Sequence, residues 1–358
     1  MNKIDSYKKA VESDPTDIDA LICLADAYYE DAKFKEAIEI YERALELNPD
    51  YEDVWNNLGL TYSFQGEYDK AIECYKKALE IDPEDSITFY NIAFNFEDKE
   101  DYDKALEYYN KALEFDPGYT DVLNNIALIY REREMYDEAI KHYEKAIKIN
   151  PDDSLLAKNL AIVYQDKQNY QKAIFYYEKA IESNPYNAEL WCDLGDVAYE
   201  INDHKTAIEC YKKATEIDPY FMEAWNNLGL SYTFIDKYSK SIECYQKALE
   251  LEKDDPVLYD NVGFSYNMLK DFDNAIIYYK KALEVDFEYI SSMKKLGNIY
   301  RDKEDYENAI KYYENALELE LIDNDLKNNL AFCYENINEF EKAEKIRKKA
   351  KWQSRYTS

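Results

Sequence analysis

Proline is scarce in this chain and nearly all of it keeps one beat. Pro15, Pro49, Pro83, Pro117, Pro151, Pro185 and Pro219 stand 34 residues apart, and only Pro256 falls elsewhere. A fixed period in this range marks a repeat array, in which each repeat is one supersecondary unit that buries its apolar face against its neighbours. Ten copies can be laid down without insertion, starting at 18, 52, 86, 120, 154, 188, 222, 256, 290 and 324 and running to 357, after a half copy at 1–17. The octets WNNLGLTY (55–62) and WNNLGLSY (225–232) lie 170 positions apart, which is five periods, so they are one slot in two copies and not a duplicated active site.

Within a copy the pattern is helical. Trp55, Leu58, Gly59 and Tyr62 recur at spacings of three and four, as do Tyr68, Ala71, Tyr75 and Ala78, so each set predicts one apolar stripe of an α-helix. SFQGEY between them reads as a short turn, and the proline near the end of the copy punctuates the passage to the next pair. Each copy is thus one helical hairpin, and the fold class is all-α. The Ala78 slot is alanine in all ten copies and the Ala71 slot in nine, with Ser241 the exception, which predicts close helix packing. Gly59, Gly195, Gly229, Gly263 and Gly297 share another slot and predict close approach at a helix-interior cost. Tyrosine at the Tyr62, Tyr68 and Tyr75 slots reads as core.

Composition narrows the functions. With 46% apolar residues there is material for a packed interior, and 75 acidic against 44 basic residues give a net charge of -31. That charge disfavours nucleic acid and anionic membrane surfaces as partners. No signal-peptide core or membrane-spanning apolar run is present, and the six cysteines include no CxxC pair, so a cytoplasmic protein without a metal site is expected. The two histidines, His142 and His204, fall in ordinary repeat slots 62 residues apart, which gives a catalytic triad little basis. No GxxxxGK[ST] or GxGxxG loop appears, so neither catalysis nor a cofactor is expected.

W-N-N-L-G-L-x-Y, then Y-D-K-A, then Y-K-K-A-L-E-I-D-P, resembles the tetratricopeptide repeat, and the resemblance covers nearly the whole chain. It implies an α-solenoid of antiparallel helix pairs forming a right-handed superhelix, whose first helices line a concave groove that binds peptide segments of other proteins. Departures cluster near the C-terminal end. Lys253, Phe287 and Leu321 stand where proline is expected, and Lys327 and Arg347 occupy mostly apolar slots, which reads as the polar outer face of a capping copy.

On each first helix a second stripe lies opposite the core stripe, at the slots of Asp53, Asn57, Leu60 and Phe64. The resemblance makes this the groove. The Asn57 slot holds Asn57, Asn91, Asn125, Asn159, Asn227, Asn261 and Asn329, with Cys23, Asp193 and Lys295 as exceptions. Carboxamides both donate and accept, so this row can read an extended backbone, as the similar repeat domain of O-linked N-acetylglucosamine transferases does; alternatively each bonds its neighbouring helix. Leu60, Phe94, Leu128, Ile162, Leu230 and Phe264, extended by Phe64, Phe234 and Met268, form an apolar row, either a contact surface or buried by curvature. Fifteen acids and one base occupy the forty stripe positions; Asp98, Glu132, Asp166, Asp196, Glu200 and Asp302 lie beyond the first helical turn, where the helix dipole does not account for them. Extended basic-plus-apolar peptide segments are therefore the expected ligand.

The resemblance also brings to mind a clamp for acidic chaperone tails. Lys294, Asn298 and Asn329 match its first two parts, but the third copy it needs would begin where the chain ends. From Glu339 to Ser358 seven basic and three acidic residues give a net +4, which suggests either helix-dipole compensation or head-to-tail self-association of a superhelical scaffold.

Overall fold

The computed structural model describes residues 3–320 and 322–353, the last five of these by backbone alone. Leu321 and residues 354–358 of the basic tail lie outside the described residues. Every element among them is a helix. After Lys3–Ser13, ten 13-residue helices begin at Ile18, Glu52, Ser86, Thr120, Ser154, Ala188, Met222, Pro256, Ile290 and Asn324. A 14-residue helix follows each, beginning at Phe34, Tyr68, Tyr102, Tyr136, Tyr170, His204, Tyr238, Phe272, Tyr306 and Phe340. We call these the A and B helices of copies 1 to 10.

The chain divides into two compact units, one up to Tyr176 and the other from Tyr177 on. Within each, an A helix packs antiparallel against its own B helix, and a B helix packs against the A helix that follows. This is an α-solenoid arrangement of helix pairs.

The core of each pair is a tyrosine laid across its partner helix. The Tyr75 slot is fully buried in nine copies, from Tyr41 to Tyr313. A Cβ added to Gly59 would lie 2.7 Å from the Tyr75 ring, which is the close approach that its glycine serves. Ala71 and Ala78 flank this contact at 0% exposure, letting the backbones approach while the ring supplies roughly 2–3 kcal/mol of burial. Trp55 departs from the expected core stripe. It is half-buried, and its indole Nε1 donates to the Pro49 carbonyl at 2.9 Å; Trp191 and Trp225 do the same to Pro185 and Pro219 at 3.0 Å.

The turns also differ from expectation. Proline is not what ends the B helices, since Tyr238–Leu251 and Phe272–Val285 stop at the usual slot without it. In copy 8 the carboxylate of Asp286 accepts the Glu288 amide at 2.9 Å, as Asp82 accepts that of Glu84 at 3.1 Å, so an Asx turn closes copy 8 without proline as it closes copy 2 with it. Between A and B helices every copy places one residue in the left-handed region. Gly66 (φ 76°) suits it, whereas Glu100 and Glu134 adopt φ 58° against their preference.

At the C-terminal end the capping expectation fails for Lys327, which is buried at 6% exposure instead of facing water. Arg347 does stay near the surface and donates to Glu335 at 2.9 Å.

Candidate functional site

The Asn57 slot lies half-buried on the A-helix face in copies 2 to 10, with Cys23 of copy 1 exposed, and its side chains do not all share one state. Asn57 Nδ2 donates to Asp26 at 3.4 Å and Asn227 Nδ2 to Asp196 at 3.0 Å, each reaching the A helix of the preceding copy. Asn125 donates to the Tyr109 hydroxyl at 3.0 Å and Asn159 to Asn124 at 2.9 Å, while Asn329 accepts from Arg301 at 2.9 Å. These five brace neighbouring helices. The carboxamides of Asn91 and Asn261 make no hydrogen bond among the described residues; only their backbone carbonyls are engaged, by Asn95 and Ser265. Asp193 is half-buried and carries interactions of its own.

The apolar row is split by exposure. Leu60, Leu128, Ile162, Leu230 and Phe264 are half-buried, so curvature covers them in part. Phe64, Phe94, Phe234 and Met268 stand exposed at 61, 40, 58 and 45%. Between the A helices of copies 2 and 3, Leu60, Phe64, Tyr90 and Phe94 wall a pocket of about 350 Å³, with Ser63, Asn91, Asn95 and Asp98 as its polar lining and Tyr75 of the B helix reaching it from below.

The acids are not equivalent either. Asp166 is held by Arg131 at 2.6 Å and Asp302 by Arg301 at 2.7 Å, which neutralises two of the six inside the chain. Asp98, Glu132 and Glu200 are exposed, and partial burial pushes the Asp98 carboxyl up. Asp196 accepts from both Tyr211 (2.6 Å) and Asn227. Burial pushes it up to about 6, with the Tyr211 hydrogen bond opposing the shift and Asp193 and Glu223 adding to it.

The proposed clamp residues are engaged internally. Lys294 pairs with Glu320 (2.5 Å) and Asp323 (2.7 Å), and Asn298 accepts the Tyr313 hydroxyl at 2.8 Å. His142 Nδ1 meets the Glu138 carbonyl at 2.8 Å and His204 stacks on Phe234 at 4.8 Å, so both rings serve packing. Burial pushes the Cys74, Cys210 and Cys244 thiols up to about 12, away from nucleophilic use. No group of three or more His, Cys, Asp or Glu among the described residues is placed to hold a metal ion. No helix among them is long and apolar enough to cross a membrane.

Reading one slot at a time missed a second tier of residues. Tyr29, Phe34 and Phe64 form an aromatic cluster with centroids 5.7–6.0 Å apart, and Tyr199, His204 and Phe234 form its equivalent at 4.8–5.3 Å, each member 170 positions on. Asp26 with Tyr41 and Asp196 with Tyr211 repeat the same spacing, as do Arg131 and Arg301. The signal was in the octets: beneath the 34-residue period runs a weaker one of five copies.

Comparison with known proteins agrees with this architecture. A family model described as the Cilia and flagella-associated protein 70 C-terminal domain matches residues 106–331. Tetratricopeptide repeat models match 52–85 and 86–119, 26–63, and 6–39. A search of curated proteins found no match. Among solved structures, the C-terminal part of a TPR repeat-containing protein from Cytophaga hutchinsonii superposes with a TM-score of 0.60 at 20% identity, over 67% of this chain and 99% of that one. MamA protein gives 0.45 at 27% identity, over 47% and 92%. YrrB, a TPR protein with an unusual peptide-binding site, gives 0.47 at 19%, over 52% and 96%.

Proposed function

The chain belongs to the tetratricopeptide repeat family, whose repeat models match within residues 6–119 while the Cilia and flagella-associated protein 70 C-terminal domain model matches 106–331, and on that premise we propose that it is a protein-interaction adaptor holding extended basic-plus-apolar peptide segments along its A-helix face. The observation that carries this reading is the pocket between copies 2 and 3, where exposed rings of Phe64 and Phe94 adjoin the unbonded Asn91 carboxamide and the Asp98 carboxylate. Rings anchor apolar side chains, the carboxamide pairs with an extended backbone, and the acid meets a cation. Asn261, 170 residues on, offers the same free carboxamide beside Phe264 and Met268 in the second unit.

The remaining asparagines act as braces. Fluorescence anisotropy with labelled basic-apolar peptides separates the two roles. Asn91→Ala is expected to weaken binding about fivefold to tenfold, the loss of roughly one hydrogen bond to backbone, with little change in melting temperature. Asn57→Ala is expected to lower stability by about 1 kcal/mol and to affect binding less. Equal binding by wild type and Asn91→Ala would count against the reading.

A further inference from the structure

The copy 2–copy 3 pocket has a back wall that the paired site in the second unit lacks. Tyr75 and Asn95, 0 and 1% exposed, both line it, and neither the Tyr75 hydroxyl nor the Asn95 carbonyl oxygen has a hydrogen-bond partner. Asn95 spends its amide on the Asn91 carbonyl at 2.8 Å, which fixes the carboxamide's orientation and leaves Oδ1 as a pure acceptor. Buried polar groups without partners are rare. The Tyr75 hydroxyl shares that state with Tyr143 and Tyr279 at its own slot, so it is the Asn95 carbonyl oxygen at the back of the pocket that points to a ligand supplying the missing bond.

The equivalent positions 170 residues on show the same frame closed. Ser63, Ala71 and Asn95 are replaced there by Thr233, Ser241 and Ser265. Thr233 Oγ1 lies 2.7 Å from Ser241 Oγ and 3.4 Å from the hydroxyl of Tyr245, the counterpart of Tyr75, and Ser241 Oγ lies 2.9 Å from Ser265 Oγ. The second unit thus satisfies this floor with hydroxyls, whereas the first leaves the Asn95 carbonyl oxygen and the Tyr75 hydroxyl open.

We propose that the copy 2–copy 3 pocket is an arginine-anchoring site, and that among the two paired positions only the first unit carries it. The unmet Asn95 Oδ1 at the back and Asp98 at the rim call for a donor-rich side chain, the Tyr75 hydroxyl can accept from it as well as donate, and Phe64, Tyr90 and Phe94 offer flat faces on which a planar, weakly hydrated guanidinium stacks. An ammonium has three donors and a tightly held hydration shell, so it fits the deep acceptors less well. The second unit displays the related chemistry internally: Lys295 pairs with the buried Asp260 while its ammonium stands 5.6 Å over the Phe264 ring and 5.7 Å over Tyr279. This proposal rests on the adaptor reading and refines it.

The test uses the full chain and fluorescein-labelled pentapeptides that carry arginine, lysine, citrulline or tyrosine between two leucines. Citrulline keeps the shape and removes the charge. Wild type is expected to bind the arginine peptide about tenfold more tightly than the citrulline one, the difference of a charge-assisted pair. The floor-swapped variant Ser63→Thr/Ala71→Ser/Asn95→Ser, built from residues the second unit already accommodates, is expected to lose that preference while retaining residual leucine-driven binding. Tighter binding of the tyrosine peptide, or an arginine preference that survives the swap, would overturn the arginine site while leaving the adaptor reading intact, provided Asn91→Ala still weakens binding. Absence of binding by all four peptides would overturn both. Should the swapped chain fail to melt cooperatively, the four peptides on wild type decide alone.

Discussion

The residue that best shows how backbone and sequence compete here is the one between the A and B helices. Its left-handed conformation recurs in every copy described, yet only copy 2 meets it with glycine, at Gly66; Asn202 and Asn338 tolerate it, and Glu100, Glu134 and Glu304 do not favour it. Replacing Glu100 by glycine is therefore expected to stabilise the first unit by about 1 kcal/mol, the relief of left-handed strain less the added freedom of the unfolded chain. A raised denaturation midpoint at unchanged slope is the expected result; an unchanged or lowered midpoint would show that the turn carries no such strain. The same scale explains what single slots did not reveal. That Asn57 and Asn91 play different roles depends on whether the preceding copy offers Asp26 or Leu60 at the facing slot, a property of a pair of copies and not of either asparagine.

Helices were legible because their cause is periodic. The A helices begin at the positions where the copies begin, since the apolar spacing of three and four leaves little freedom in phase. What was not legible was how each helix meets its neighbours. Trp55 fits the core stripe by angle but lies at the edge of its hairpin and reaches back to the Pro49 carbonyl, and proline proved to accompany an Asx turn that works without it. Electrostatics between adjacent A helices was hidden for the same reason. Asp196 is packed between Tyr211 and Asn227, and burial holds its proton to about 6, above the ordinary 3.8. The folded state thus binds this proton more tightly than the unfolded chain. The stabilisation it brings is fully present below about pH 4 and is lost as pH rises through about 6. Between pH 7 and pH 5 wild type is expected to gain melting temperature, and Asp196→Asn, which mimics the neutral form as Asn298 does in copy 9, is expected to gain less. Equal gains in both chains would place the titration elsewhere.

At the scale of the whole molecule the chain is a set of copies that are alike in their cores and unlike on their A-helix faces. Buried alanine and tyrosine recur almost without exception because any departure opens or overfills the contact between helices, while the slots of Phe94, Asp98 and Arg131 hold residues of differing size and charge. A net charge of -31 surrounds those faces with a field that favours basic segments, and the field weakens with salt where it acts across solvent. Binding by full-length chain to an array of decapeptides, in which leucine and phenylalanine alternate with arginine, lysine, alanine or glutamate, measured at low and at high salt, tests the adaptor claim most directly. The account predicts that basic-apolar peptides are retained over acidic-apolar ones, that their advantage shrinks as salt rises, and that Asn91→Ala weakens their retention. Equal retention of acidic and basic peptides, or a preference indifferent to salt, would contradict it.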